Sequence, residues 1–221
     1  IQDVDEYKNN KFKKKSFDRK DLKKLDFVTI DGEDAKDFDD AVYCEQHENN
    51  WKLYVAIADV AHFVENNSNI DKEAKKRGTS VYFPGYVVPM LPEILSNNLC
   101  SLRPGEDKFT IVAEILIGND GEIQSYKFYN ALISSSARLT YNQVDKFLKN
   151  KSLIKDKNVI KNINNLFRLY KILKKSREKR HAVNFDTQEF SFVISKNNEI
   201  TGIKNNIRLE SQKLIEECMI A

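Results

Sequence analysis

The sequence predicts an α/β (α+β) domain, a mixed, largely antiparallel sheet with helices packed on it, and three observations carry that expectation. Residues 51–58 set Trp51, Leu53, Val55 and Ile57 against Lys52, Tyr54, Ala56 and Ala58, the period of two that belongs to a strand with one heavy face. Two further apolar runs, 109–117 and 122–130, flank Gly118-Asn119-Asp120-Gly121, a hairpin connection made of turn-forming residues. Between 159 and 175, Ile163, Leu166, Phe167, Tyr170 and Leu173 recur at helical spacing, the stripe of a helix that docks on a sheet.

Taken in order, residues 1–25 are charged with few apolar positions and read as a linker or the tail of a preceding domain. The first strand spans 26–30, the second 41–46, and a turn at 47–50 leads to the third. Asp59 continues the heavy side of that strand and reads as a buried aspartate satisfied by backbone amides, with an additional acidic group at a site as the alternative. His62, beside apolar residues, reads as structural, with a ligand or base as the alternative. Residues 71–77 form a short basic helix. The run 78–103 holds three of the chain's four prolines and several aromatics. Loops of that composition are pinned by packing or shaped for a ligand. Tyr82 and Phe83 could stack on a base, Phe83 being the better fit to a packing role. Residues 133–139 continue the sheet, and Thr140 caps a helix through Leu148. Short strands follow at 182–185, 190–195 and 200–205. The last helix, 208–220, places Leu214, Ile215, Cys218 and Met219 on one face and Glu210, Lys213, Glu216 and Glu217 on the other; it reaches the chain end uncapped, which reads as truncation.

Between the first two strands lies the most unusual stretch, FVTIDGEDAKDFDDAVY, residues 27–43. It draws Asp31, Asp37, Asp39 and Asp40 toward the interior between apolar runs. Two like charges about 4 Å apart repel by ~4 kcal/mol at a near-surface dielectric, so the cluster wants a cation or protons. Hard oxygen ligands with no Cys or His among them suit Mg²⁺, Mn²⁺ or Ca²⁺ better than Zn²⁺. An EF-hand starting at Asp34 fails, because Lys36 and Phe38 stand where oxygen ligands belong and Asp39 where glycine belongs. On a plain strand Asp37 and Asp39 would point away from Asp40, so convergence requires a curled loop, for which Gly32 could supply a permissive backbone. An acidic solvated loop is the competing reading, disfavoured by the flanking apolar strands.

With 221 residues, 41% hydrophobic and 31% charged, the chain has an ordinary globular composition, with neither a signal peptide nor an apolar run of spanning length. The cytoplasm is the expected compartment. Cys44, Cys100 and Cys218 lack any C-x-x-C spacing and read as small buried residues. The net charge of +3 combines a basic background, with lysines clustered at 11–24 and 171–180, and the acidic site. The lysine clusters could attract a polyanion, or reflect a chain rich in Lys and Asn throughout.

TIDGEDAKDFDDAV (29–42), IADVAHFV (57–64), GTSVYFPGYVVPMLPEILSNNLCSLRP (78–104) and LIEECMIA (214–221) resemble, in this order, the RNB-type catalytic domain of the ribonuclease II superfamily, in particular its ribonuclease R branch. The resemblance implies a curved sheet and a processive, metal-dependent 3′-to-5′ exoribonuclease that releases nucleoside 5′-monophosphates from single-stranded RNA; a monomer is expected. It assigns Mg²⁺, with Mn²⁺ as a substitute, to Asp31, Asp37, Asp39 and Asp40. Asp39 and Asp40 are the catalytic pair, Asp39 the closer to the chemical step. Tyr82 matches an aromatic that clamps the last nucleotide, and Phe185 its stacking partner. Members carry OB-fold RNA-binding domains before and after the catalytic domain, and a later motif with paired arginines; neither has a counterpart here. Residues 26–221 therefore read as the N-terminal portion of a catalytic domain, with a non-catalytic RNA-binding or scaffold module of the same fold as the alternative.

Overall fold

The computed structural model describes residues 18–83, 86–150, 154–182, 189–195 and 199–221. A seven-stranded sheet runs in the order β1-β8-β7-β4-β3-β2-β9, built from β1 (Lys20–Asp21), β2 (Val28–Asp31), β3 (Asp40–His47), β4 (Asn50–Ala58), β7 (Asp107–Ile117), β8 (Ile123–Ser134) and β9 (Ala137–Thr140). Only β1 with β8 and β2 with β9 pair in parallel; the other neighbours are antiparallel. Two-stranded ribbons, β5 (Val81–Phe83) with β6 (Tyr86–Val88) and β10 (Glu189–Ile194) with β11 (Ile200–Asn206), stand apart from it. The helices are α1 (Val60–Phe63), α2 (Asn69–Arg77), α3 (Tyr141–Asn150), α4 (Lys157–Lys179) and α5 (Glu210–Ile220), with a π-helical turn at Leu95–Leu99.

Strand β4 lies at the centre of the sheet, and both of its faces are covered. Trp51, Leu53 and Val55 join a core under α3, α4 and α5, while Tyr54, Ala56 and Ala58 join a second core with Phe63, Ile70, Leu95 and Leu102. The expected single heavy face is thus two buried faces, and Ile57, at the end near Asp40, is exposed. Helix α4 docks as its stripe predicts, with Ile163, Leu166, Tyr170 and Leu173 buried. It does more than pack. Strands β2 and β3 meet at a single pair, Val28 with Val42, which leaves ladder groups on either side without strand partners. Buried Asn162 fills the place: its amide donates to the carbonyls of Asp26 (2.8 Å) and Val42 (3.1 Å), and its oxygen accepts from Cys44 N (2.9 Å). Asn165 adds a bond to the Cys44 carbonyl at 3.0 Å. One turn of helix thereby completes the hydrogen bonding that buried backbone requires.

Thr140 caps α3 as expected, its hydroxyl accepting from Gln143 N while the Gln143 side chain accepts from Thr140 N, a reciprocal capping box. All three cysteines are buried and free. Residues 20–25 differ from the linker expected of them: Lys20 and Asp21 extend the sheet beside β8, and Leu22 is buried. The final helix departs from its expected faces, since Met219 is exposed whereas Glu217 is buried against Arg177, 2.7 Å away. The strand expected at 182–185 lies outside the described residues, apart from its first residue. No helix among the described residues is long and apolar enough to cross a membrane.

Candidate active site

The four aspartates gather where β2 ends and β3 begins. Asp31 closes β2, in register with Thr140 of the parallel strand β9, and Asp40 opens β3, in register with Ile57. The loop between them is pinned at both ends. Near Asp31, the Arg138 guanidinium donates through Nη2 to the carbonyls of Gly32 (2.8 Å) and Glu33 (2.7 Å). Toward Asp40, the Ser101 hydroxyl accepts from Phe38 N (3.1 Å) and donates to the Lys36 carbonyl (2.9 Å), and Leu102 N and Ala58 N donate to the carbonyls of Phe38 (2.8 Å) and Asp39 (2.9 Å). Phe38 is buried in the second core, so the chain is anchored by the apolar residue that separates Asp37 from Asp39. Gly32 does not supply the curl expected of it. The glycines with positive φ among the described residues are Gly78, Gly105 and Gly121, and a Cβ at Gly32 would meet nothing within 4 Å. The shape comes from Arg138, Ser101 and Phe38.

Crowding carboxylates in partly buried surroundings raises their affinity for protons. Asp31 is pushed up to about 7, first by burial, then by Asp40, with Asp39 and Asp37 adding and Arg138 opposing. Burial and then Asp39 push Asp40 up to about 6, and burial and then Asp37 push Asp39 upward. Asp31 Oδ2 is buried and accepts no hydrogen bond. The hydroxyl of Tyr141, which follows the Thr140 that stands in register with Asp31, is pushed up to about 12 by burial and then by Asp31 and Asp40. Among the described residues no three His, Cys, Asp or Glu side chains stand close enough together to cage a metal as they are. The donor set nonetheless fits a hard divalent cation: carboxylate oxygens, mutual repulsion that a cation relieves, and one buried oxygen without a donor.

These shifts fix the sign of a pH dependence. Carboxyls whose folded pKa exceeds the ordinary 3.8 stabilise the fold fully below that value and lose the contribution as pH rises through the folded pKa, here about 6 to about 7. In EDTA, melting temperature should therefore fall between pH 5 and pH 8 by an amount on the order of 2 kcal/mol, roughly 4–8 °C for a chain of this size. Asp31→Asn should flatten the fall; a profile identical in the variant would remove Asp31 as its source.

Among the other expected site residues, Tyr82 lies on the β5–β6 ribbon, 67% exposed and opposite Val87, and makes no hydrogen bond or ring contact to the aspartate loop. Phe83 is 54% exposed, which corrects the packing role expected of it: on a two-residue-wide ribbon outside the main sheet, neither face has a core to enter. Phe185 lies outside the described residues. Asp59 and His62 are buried, and Asp59 caps α1 by accepting from His62 N at 3.1 Å and pairs with Arg19 at 2.6 Å. Ser101, Arg138 and Tyr141 went unforeseen. Ser101 stood within the conspicuous 78–104 run, whereas a lone arginine in SARLTY carries no signal until β9 is placed beside β2.

The RNB domain family matches residues 19–221. Ribonuclease R of Escherichia coli (strain K12) is 47% identical over 205 residues, covering 91% of this chain and 25% of that protein. Solved structures of Mycoplasma genitalium RNase R, in complex with ribose-methylated single-stranded RNA and with double-stranded RNA, superpose with a TM-score of 0.91 at 40% identity, covering 100% of this chain and 35% and 40% of theirs. The chain thus spans between a quarter and two fifths of the length of these relatives. A family match that runs through β1 to α5, carried on the same mixed sheet, establishes that the chain belongs to the RNB domain family.

Proposed function

We propose that this chain carries the metal-binding half of the active site of a processive 3′-to-5′ exoribonuclease that hydrolyses single-stranded RNA to nucleoside 5′-monophosphates with Mg²⁺, Mn²⁺ being a substitute. The observation that carries the reading is the pinned loop that crowds Asp31, Asp37, Asp39 and Asp40 and leaves Asp31 Oδ2 buried without a donor. Ribonuclease R relatives over 91% of the chain, one of them solved with single-stranded RNA, support the reaction class. A bound divalent cation would supply an acidified water and neutralise charge developing on the phosphate. Asp31, Asp37 and Asp40, held by strand ends and loop, are the anchoring ligands. Asp39 is the most exposed of the four, yet its carboxyl is desolvated enough to have a raised proton affinity, which suits a group that ligates from the open side and takes a proton from water.

A 5′-labelled single-stranded RNA incubated with the intact protein and Mg²⁺ should shorten progressively from its 3′ end and release 5′-monophosphates, with EDTA stopping the reaction. Internal cuts, or digestion that survives EDTA, would refute the reading. Tyr82, on its exposed ribbon, is the proposed clamp for the last nucleotide, since base–aromatic stacking contributes about 1–3 kcal/mol per base. Tyr82→Ala should lengthen the shortest end product and weaken the grip on the 3′ end roughly tenfold or more, with the Mg²⁺ response intact. Unchanged end products would leave Tyr82 with no nucleotide to hold.

A further inference from the structure

Arg138 touches the aspartate loop at both ends. Its Nη2 bonds the carbonyls of Gly32 and Glu33, directly after Asp31, and its guanidinium lies 5.4 Å from the ring centroid of Phe38, which separates Asp37 from Asp39. It stands on β9, whose parallel pairing with β2 sets Arg138 opposite Thr29 and Thr140 opposite Asp31. The base of the loop is therefore strapped from a rigid strand. Its Nε is buried and donates to no acceptor, so the side chain is held here by its Nη2 bonds and the Phe38 ring although one donor goes unused. Among the described residues no three carboxylates form a cage as they stand, so a cation has to complete the convergence from the arrangement that Arg138 sets beside Asp31. A planar guanidinium presents its donors at fixed angles, which an ammonium does not.

We propose that Arg138 is a positioning residue for divalent-cation binding: it presets the loop so that Asp31 and the Asp37–Asp40 segment reach one cation, and it contacts neither substrate nor metal. The inference rests on the metal-dependent reading above. The test compares the intact wild-type protein with Arg138→Met, which keeps an unbranched stem beside Phe38 but no donors, and Arg138→Lys. Melting temperature is followed against Mg²⁺ concentration, and binding of single-stranded RNA is measured in EDTA. Groups that orient metal ligands typically change metal affinity by about 10–100-fold, so Arg138→Met should need about tenfold or more Mg²⁺ for the same rise. Arg138→Lys should fall between the two. RNA affinity in EDTA should match wild type, and saturating Mg²⁺ should return most of the turnover.

A wild-type Mg²⁺ midpoint in Arg138→Met overturns the inference, and so does weakened RNA binding in EDTA, which would make Arg138 a phosphate contact. If Arg138→Met does not fold, Arg138→Lys decides alone, a wild-type midpoint again overturning it. A wild-type protein that fails to respond to Mg²⁺ sinks the metal reading itself; a responsive wild type with an indistinguishable variant sinks only the role of Arg138.

Discussion

Asp39→Asn should lower the rate of 3′-end hydrolysis by about a thousandfold, ~4 kcal/mol in the barrier, the scale expected when a group acting in the chemical step is lost. Asparagine has almost the same shape and keeps an oxygen toward the site but loses the charge and the ability to take a proton. The backbone bond that fixes the position, Ala58 N to the Asp39 carbonyl at 2.9 Å, does not involve the side chain. Removing the charge also relieves Asp40, which Asp39 pushes upward. The variant should therefore melt at or above the wild-type temperature in EDTA while its single-turnover rate collapses. That combination separates a chemical role from a structural one, because a loop that merely lost its shape would lose stability along with rate. Wild-type rates in Asp39→Asn would overturn the assignment.

Periodicity made the middle of the fold legible. The alternation of 51–58, the hairpin around residues 118–121 and the helical stripe of α4 each express a local rule that the tertiary structure also obeys, so β4, β7, β8 and α4 lie where the pattern puts them. Misplaced features depend on partners far away in sequence. Strand β1 is two polar residues whose only reason to be extended is β8, about 110 positions later. Glu217 is buried because Arg177 stands opposite, a pairing that a helical wheel cannot see. The same division runs through the site. Four carboxylates spaced between apolar runs made the crowded loop itself legible, and the raised proton affinities of Asp31, Asp39 and Asp40 express that crowding. The shape of the loop did not follow from that spacing: Gly32 was the local candidate for the curl, whereas Ser101, about 65 positions away, and Arg138, about 105 positions away, hold it. Tyr141 became visible as a neighbour of Asp31 only once α3 was seen to start from β9, directly beside β2.

Asp59→Ala should be the most destabilising single change outside the site, by about 3–5 kcal/mol, the usual penalty for stripping one partner from a buried ion pair. Asp59 and Arg19 are 2.6 Å apart with side chains 4% and 9% exposed. The guanidinium also donates to the carbonyls of Thr110 (3.3 Å) and Ala131 (3.5 Å) and lies 4.5 Å from the centroid of the Phe109 ring. It thus fastens the start of the described chain to β7 and β8. Without Asp59 that buried guanidinium loses its 2.6 Å carboxylate partner, and α1 loses its cap, a further contribution of about 1 kcal/mol. Melting temperature should drop by roughly 10 °C, since 1 kcal/mol corresponds to about 2–4 °C at this size. Added salt should not rescue the variant, because screening reaches exposed charges far more than buried ones. The double variant Arg19→Met with Asp59→Ala should recover part of the loss, since it removes the buried guanidinium as well as its carboxylate partner, and the difference measures the coupling between the two. A loss below about 1 kcal/mol in Asp59→Ala, the range of an exposed pair, would overturn the reading of this ion pair as a main anchor of the start of the described chain.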